Sequence, residues 1–198
     1  YAGMSGLGNK RIQTPNMDRL AAEGMLFTRA YSEMLCVPSR CTIFTGQYAA
    51  RHGRTVVAPG QYEHALMDDP DQTDPITPEN FNLAKMLQSV GYTTAVFGKW
   101  HMSRVPIVPA QAKACGFDEA APVSHRAPYK DIVKNIDLAV DYLERRAKAE
   151  HPGTRNEEPG TRAPFFLYVA TFVTHGPQEV TREEIRAWMK ARDCEDTK

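Results

Sequence analysis

Cysteine is scarce in this chain: Cys36, Cys41, Cys115 and Cys194 are the only four among 198 residues. They are too few and too scattered for a disulfide framework or a structural zinc site, because both need clustered cysteines. The sequence therefore excludes a small disulfide-stapled fold, and it leaves the redox compartment undetermined.

The chain also lacks a long apolar run and an excess of charge of either sign. No stretch is long enough to cross a bilayer, and no secretory signal is visible. The 24 basic residues balance 24 acidic ones, so nothing indicates a nucleic-acid partner. A length of 198 residues suffices for one domain with a sizeable core. Because the chain opens on Tyr1 without an initiator methionine and closes on a charged stretch, we expect an internal fragment.

A proline-rich acidic segment at 59–79 lacks the features of a calcium-binding loop. It contains four prolines and four aspartates, but no glycine at a sharp turn and no closing glutamate of an EF-hand. This composition predicts a solvated surface loop rather than a calcium site.

The most informative stretch runs from Cys36 to Gly46 and reads Cys-Val-Pro-Ser-Arg-Cys-Thr-Ile-Phe-Thr-Gly. It follows an alternating run at 26–31 that predicts a strand. Pro38 suits the first turn of a helix, and Gly46 suits its end. We therefore expect Cys36 at a helix N-terminus, where unpaired N–H groups and the helix dipole favour anions, with the Arg40 cation one turn further along. This combination indicates an enzyme that acts on an anionic ester.

The remainder of the chain alternates helix and strand patterns. Residues 104–129 are expected to be mostly irregular. The predicted elements are helices from Thr14-Pro15 to Gly24, from Thr77-Pro78 to Gly91, from Tyr129 to Glu150 and over 179–193, and strands at Tyr92–Phe97 and Pro164–Ala170. The order helix, glycine, strand predicts an α/β domain whose strands are parallel.

Helical spacing assigns apolar faces to two of these helices. The first face comprises Leu83, Met86, Leu87 and Val90 and is expected in the core. The second is a stripe on the helix at 129–150, formed by Ile132, Ile136, Ala139, Val140 and Leu143.

Polar side chains follow both predicted strands. Residues two apart in an extended chain point to the same side, so Lys99 and His101 are expected to project together from the carboxyl end of their strand. Open α/β sheets bind ligands at that edge, and His175 follows the second strand there. An ammonium and an imidazole suit an anionic oxygen and a proton transfer. His52, next to Arg51, is expected to satisfy local backbone groups instead.

The stretch from Cys36 to Gly46 resembles the signature of type I sulfatases, in the alkaline-phosphatase-like superfamily. Phe44 stands where leucine is usual and Gln47 where a basic residue is usual. The segments TPNMDRLAAEG and GKWH, and the run that ends in His175, also resemble sulfatase segments. The resemblance implies an α/β fold with a largely parallel central sheet and helices on both faces. Residues 1–198 would form an incomplete part of the N-terminal sulfatase catalytic domain.

In that family the signature cysteine is oxidised to formylglycine, whose hydrated aldehyde is the nucleophile. The resemblance implies a sulfuric ester hydrolase of the arylsulfatase type in which Cys36 is the formylglycine precursor. Arg40 and Lys99 would bind the sulfate, and His101 would contact the formylglycine hydroxyls. His175 would protonate the leaving alcohol. A divalent metal is also implied, calcium or magnesium, because the family's ligands are hard oxygens, and calcium is expected ahead of magnesium. Formylglycine would be one ligand, and the others lie outside this chain.

The same resemblance implies particular partners and a location. The maturation partner would be a formylglycine-generating enzyme, and the substrate a sulfated small molecule or carbohydrate. The location would be periplasmic, secreted or lysosomal. No nucleic-acid partner and no transmembrane segment are expected.

Two alternatives stay open at this point. The first is a phosphonate monoester or phosphodiester hydrolase on the same scaffold, and the second is a catalytically inactive fragment. A phosphatase-type thiolate loop is disfavoured, because Val37-Pro38-Ser39 is too short for a glycine-rich loop of amides and lacks one N–H. The alcohol part of the substrate cannot be read from the sequence, since function is set by the site and not by the fold.

Overall fold

The computed structural model describes residues 4–10, 12–57, 71–103, 108–123, 131–148 and 163–171. The chain divides into two compact units, residues 1–32 and 33–198. None of the described helices is long and apolar enough to pass through a membrane. Besides a short 3-10 helix at Ser5–Leu7, the elements are α1 (Pro15–Glu23), α2 (Cys36–Thr45), α3 (Ala49–His52), α4 (Leu83–Ser89), β1 (Thr93–Lys99), α5 (Pro109–Ala114), β2 (Glu119–Val123), α6 (Asp131–Lys148) and β3 (Phe165–Ala170).

In the first unit, the side chain of Asp18 ties the 3-10 helix to α1. Its carboxylate accepts hydrogen bonds from the Gly6 N–H at 2.9 Å, from the Thr14 hydroxyl at 2.9 Å and from the Ser5 hydroxyl. These bonds lower the pKa of Asp18, the bond from Ser5 contributing most. α1 begins at Pro15 after Thr14 and ends before Gly24, as the sequence predicts.

The three strands of the second unit form one parallel sheet in the order β2-β1-β3. Val96 of the central strand lies opposite Ala120 of β2 and Tyr168 of β3. Because parallel strands share their carboxyl edge, the residues that follow β1 and β3 start from the same side of the sheet. The predicted central parallel strand is therefore confirmed.

Helices cover both faces of this sheet. On one face, Val96 packs into a core with Cys41 and Phe44 of α2. On the other face, Phe97 packs against Tyr142 of α6, with ring centroids 6.1 Å apart. Successive residues of a strand point to opposite faces, so one strand supplies both cores. The structure thus confirms the predicted α/β architecture.

α2 lies where the sequence predicts it. Cys36 is its first residue, Pro38 is in its first turn, and Gly46 ends it in the left-handed conformation with φ 67°. Phe44 packs edge-on against Tyr168 of β3, with ring centroids 5.0 Å apart. This aromatic contact fixes the helix against the sheet.

The strand predicted at 26–31 is wrong. This segment is irregular and includes a turn at residues 28 and 29. Phe27 and Tyr31 are 69% and 89% exposed. Within the described residues of the first unit there is no strand to pair with, and an isolated alternating run does not form a stable strand.

α4 begins later than predicted. The Asn82 side chain accepts hydrogen bonds from the N–H groups of Ala84 at 3.0 Å and Lys85 at 3.3 Å, so Asn82 is the N-cap and Leu83 the first helical residue. The Thr77 hydroxyl accepts from the backbone two and three residues on, which makes a separate turn.

The predicted apolar faces of two helices are also partly wrong. Met86 and Val90 of α4 are 42% and 65% exposed, and Ala84 is the fully buried residue of that helix. On α6, three residues of the predicted stripe, Ile136, Val140 and Leu143, are 42–48% exposed, whereas Ala139 is buried as predicted. Among residues 134–148 of α6, the buried ones are Asn135, Ala139 and Tyr142. The spacing of apolar residues identifies an apolar stripe on a helix, but packing against the sheet decides which face of the helix is buried.

The region predicted to be mostly irregular contains α5 and β2. The carboxylate of Asp118 accepts the Thr94 N–H at 2.8 Å, and the Thr94 hydroxyl donates to the Gly116 carbonyl at 2.8 Å. These tertiary bonds set β2 beside β1, which short alanine-rich segments do not reveal. The predicted helix at 179–193 and residues 58–70 of the acidic loop lie outside the described residues.

Gly98 allows β1 and β3 to approach at the edge that carries the predicted site. It has φ +95°, and a Cβ placed there would lie 2.2 Å from the carbonyl oxygen of Ala170. Any side chain at position 98 would therefore force the strands apart just before Lys99.

Gly98→Ala should lower the free energy of unfolding by at least about 3 kcal/mol, because it adds a backbone clash to the strain of a positive φ. Gly91→Ala is the matched control, since Gly91 has φ +89° and nothing within 4 Å of its Cβ position. It should cost only about 1–2 kcal/mol. Chemical denaturation measures both, and equal losses would contradict the close approach.

Candidate active site

The first residue of α2 lies beside a histidine that follows the C-terminal end of β1. The sulfur of Cys36 is 3.3 Å from Nδ1 of His101, although 65 residues separate them in the chain. The packing of α2 on the sheet makes this contact. Two residues singled out from the sequence are therefore neighbours at a helix N-terminus.

His101 reaches the sulfur by a route that the sequence did not indicate. β1 ends at Lys99. His101 has φ 52° and is the one residue other than glycine in the described ranges with a positive φ. The alternation of an extended chain therefore does not continue to His101. Trp100 is only 2% exposed and its indole N–H donates to Ser103 at 3.1 Å, which anchors the turn.

Lys99 brings an ammonium group to the same sulfur. Its side chain is buried, with 2% exposure. Burial lowers the pKa of Lys99, the neighbouring Cys36 sulfur opposes that shift, and the Arg40 guanidinium adds to it. Lys99 is thus close to both the sulfur and a second cation.

Arg40 lies one helical turn after Cys36 and is held by neutral groups. Its Nη1 donates to the Lys99 carbonyl at 3.0 Å and to the Tyr168 hydroxyl at 2.6 Å. Its Cζ is 5.9 Å from the centre of the Tyr168 ring. Its Nε is buried without a hydrogen-bond partner. No ion pair within the described residues involves Arg40.

These groups make a concentrated positive site around Cys36. The N-terminus of α2, the Lys99 ammonium and the Arg40 guanidinium all favour an anion. A planar guanidinium and a compact ammonium are suited to two oxygens of a tetrahedral anion. The site can therefore bind a sulfate-like or phosphate-like group next to a side chain that reacts.

His52 belongs to a separate hydrogen-bond network. Its Nε2 is 3.1 Å from the Thr42 hydroxyl, and its Nδ1 accepts the Arg54 N–H at 3.1 Å. Burial lowers the pKa of His52, so the neutral ring is favoured. The expectation that His52 satisfies a local backbone group agrees with these contacts, and Arg51 is exposed.

Sequence reasoning missed Tyr168, and one predicted residue is outside the described chain. Tyr168 was assigned only to a buried strand. A buried tyrosine hydroxyl usually needs a partner, and this was the signal that could have identified it. His175, predicted at the same edge, lies beyond the described residues.

The described residues do not form a metal site. No group of three or more His, Cys, Asp or Glu side chains within the described ranges is arranged to hold a metal ion. Cys36 and His101 are accompanied by the cations of Lys99 and Arg40, and such a set disfavours a divalent cation without added carboxylates.

Comparison with known proteins identifies the family of the chain and agrees with its fold. The sulfatase family model matches residues 1–187, so the chain belongs to the sulfatase family. Mouse N-acetylgalactosamine-6-sulfatase is 30% identical over 217 aligned positions, which cover 93% of this chain and 39% of that protein. Human steryl-sulfatase is 40% identical over 97 positions, which cover 48% of this chain and 16% of that protein.

A solved structure gives the same result for the fold. It is a complex of a protein with its substrate D-glucosamine-2-N,6-O-disulfate, and it is 26% identical to this chain with a TM-score of 0.58. The match covers 88% of this chain and 32% of the other. The fold is therefore that of the alkaline-phosphatase-like sulfatases. The chain spans only 39% of the length of its mouse relative.

The left-handed turn at His101 predicts a difference between two substitutions that both remove the imidazole. Asparagine tolerates a positive φ, whereas β-branched valine does not. His101→Val should therefore be less stable than His101→Asn by about 1–2 kcal/mol. Thermal and chemical unfolding measure this difference. Equal stability of the two variants would show that residue 101 is not left-handed.

Proposed function

We propose that the protein is a sulfuric ester hydrolase whose nucleophile derives from Cys36. The observation that carries this proposal is the Cys36 sulfur at the N-terminus of α2, 3.3 Å from His101 and beside the buried Lys99. Membership of the sulfatase family supports the same reaction. The positive charge of the site suits the negatively charged oxygens of a sulfuryl group during its transfer.

The surroundings of Cys36 fit its conversion to formylglycine. The sulfur marks the place where the oxygens of the hydrated aldehyde would stand, and Lys99 and His101 are positioned to hydrogen-bond there. Formylglycine supplies an oxygen nucleophile at that carbon. His101 would exchange a proton at Nδ1 with a hydroxyl in this position, as an imidazole can near neutral pH.

The two cations would hold the sulfuryl oxygens. Arg40 donates to the backbone carbonyl of Lys99, and its guanidinium is near enough to lower the pKa of Lys99, so the two charges act on one small volume. Charge that builds up on the transferring group is stabilised most by such preorganised donors in a buried site. We assign proton donation to the leaving alcohol to His175, from its position in the sequence after β3.

The proposed substrate is a sulfated carbohydrate. One relative is named N-acetylgalactosamine-6-sulfatase, and one solved neighbour is a complex with D-glucosamine-2-N,6-O-disulfate. Both names point to sulfated amino sugars. We assign the chain to the N-terminal part of the sulfatase catalytic domain from the resemblance of its segments to sulfatase segments, and it spans 39% of the length of its mouse relative.

Maturation, metal and location follow from the family as further parts of the proposal. A formylglycine-generating enzyme would convert Cys36. The family implies a divalent metal, for which we propose calcium over magnesium because flexible oxygen ligands favour it. Among the described residues, no group of three or more His, Cys, Asp or Glu side chains is arranged to hold it. We propose a periplasmic, secreted or lysosomal location.

The full-length protein, produced together with a formylglycine-generating enzyme, should hydrolyse an aryl sulfate faster than an aryl phosphonate. Mass analysis of the peptide containing Cys36 should show conversion of the thiol to the aldehyde. Cys36→Ala should lower the rate of sulfate release by at least about a thousandfold, since it removes the nucleophile. N-acetylgalactosamine-6-sulfate should be a better substrate than a steroid sulfate.

Cys41→Ala is the matched control for this experiment. Cys41 lies on the same helix, but it is fully buried, and burial raises the pKa of its thiol to about 12. It should keep hydrolytic activity. Faster cleavage of the phosphonate would favour the alternative hydrolase. An intact Cys36 thiol with no turnover would indicate an inactive relative.

A further inference from the structure

The two cations of the site lie close enough to repel each other. The Arg40 guanidinium contributes to the lowered pKa of Lys99, which is the expected effect of a like charge nearby. Lys99 is buried and lies at the end of β1, whereas Arg40 is on a long side chain from α2. Repulsion would displace the longer side chain unless other contacts restrain it.

Among the described parts of the chain, the groups that hydrogen-bond to Arg40 are neutral. Both of its hydrogen bonds within the described residues come from Nη1, and they end on the Lys99 carbonyl and the Tyr168 hydroxyl. A carboxylate partner would hold the Arg40 side chain equally well, but it would neutralise the charge of the guanidinium. A phenol holds the guanidinium and leaves its charge available to an anion.

We propose that Tyr168 is a positioning residue that fixes the Arg40 guanidinium beside Lys99 and thereby sets the affinity of the site for a sulfuryl group. This inference rests on the proposed function in its choice of anion. It adds to the sulfatase signature a residue from β3, which lies 128 positions after Arg40 in the chain.

Three features suit Tyr168 to this role. Its ring packs edge-on against Phe44 of α2 at 5.0 Å, so the phenol cannot swing away. Its ring also lies near the guanidinium, 5.9 Å from Cζ. Burial raises the pKa of Tyr168, while Arg40 opposes that shift, so the hydroxyl remains protonated and uncharged at neutral pH.

The strand register places this hydroxyl. Tyr168 pairs with Val96 across β1 and β3, and Gly98 pairs with Ala170. The close approach at Gly98 brings the end of β3 to the end of β1. Lys99 therefore lies at the end of β1, and the hydroxyl that accepts from Arg40 is on the neighbouring strand β3.

Tyr168→Phe in the full-length protein tests this role, because it removes one hydroxyl and keeps the ring. We expect binding of inorganic sulfate, measured by calorimetry, to weaken about tenfold or more, the effect of losing a hydrogen bond to a charged group. For an aryl sulfate, kcat/KM should fall by a similar factor.

Tyr142→Phe is the matched control. Tyr142 is 4% exposed, and its hydroxyl is 3.2 Å from the Thr93 hydroxyl, on the sheet face covered by α6. Both variants lose one partly buried hydroxyl contact, so their melting temperatures should fall by similar amounts. Only Tyr168→Phe should weaken sulfate binding.

A double-mutant cycle separates positioning from a general structural effect. In an Arg40→Gln background, Tyr168→Phe should cause no further loss of sulfate binding, because there is no guanidinium left to hold. Additive losses would overturn the inference. So would a wild-type protein that binds no sulfate, or a Tyr168→Phe variant that binds it as Tyr142→Phe does. A wild type that binds sulfate but cleaves no sulfate ester would contradict the proposed function alone.

Discussion

The site depends on the packing of α2 against the carboxyl end of β1. This packing brings the free N–H groups of a helix N-terminus, a buried ammonium and a guanidinium to one sulfur atom. Placing a second cation beside a buried ammonium is unfavourable. The fold tolerates this because the aromatic core formed by Phe44, Tyr168 and their neighbours holds the helix in place. The result is a site with concentrated positive charge, which a bound anion would stabilise.

Local backbone geometry completes the arrangement. A glycine at position 98 lets β3 approach β1, and a left-handed residue at position 101 turns the imidazole toward Cys36. Both conformations are costly for ordinary residues. They adjoin each other at one strand end, and Trp100 between them is buried in the core. The residues with unusual backbone conformations, Gly98 and His101, thus flank a residue that is held in the core.

Much of this could be predicted because the signals were local. Pro38 and Gly46 fix the limits of α2, and a β-branched run identifies β1. The proximity of Lys99 and His101 was predicted correctly, but from an extended geometry that His101 does not have. Tyr168 was missed because its role depends on a partner 128 positions away. The buried faces of α4 and α6, and the strand β2, depend on which surface the sheet presents, and sequence spacing does not contain that information.

The central claim is that the cations around Cys36 form an anion site, and titration of the Lys99 ammonium by isotope-edited NMR tests it most directly. In the anion-free protein, Lys99 should lose its proton below the ordinary lysine range, because burial and Arg40 disfavour the charged form. Added inorganic sulfate stabilises the ammonium, so the pKa should then move back up. A Lys99 that titrates in the ordinary range and does not respond to sulfate would contradict the account.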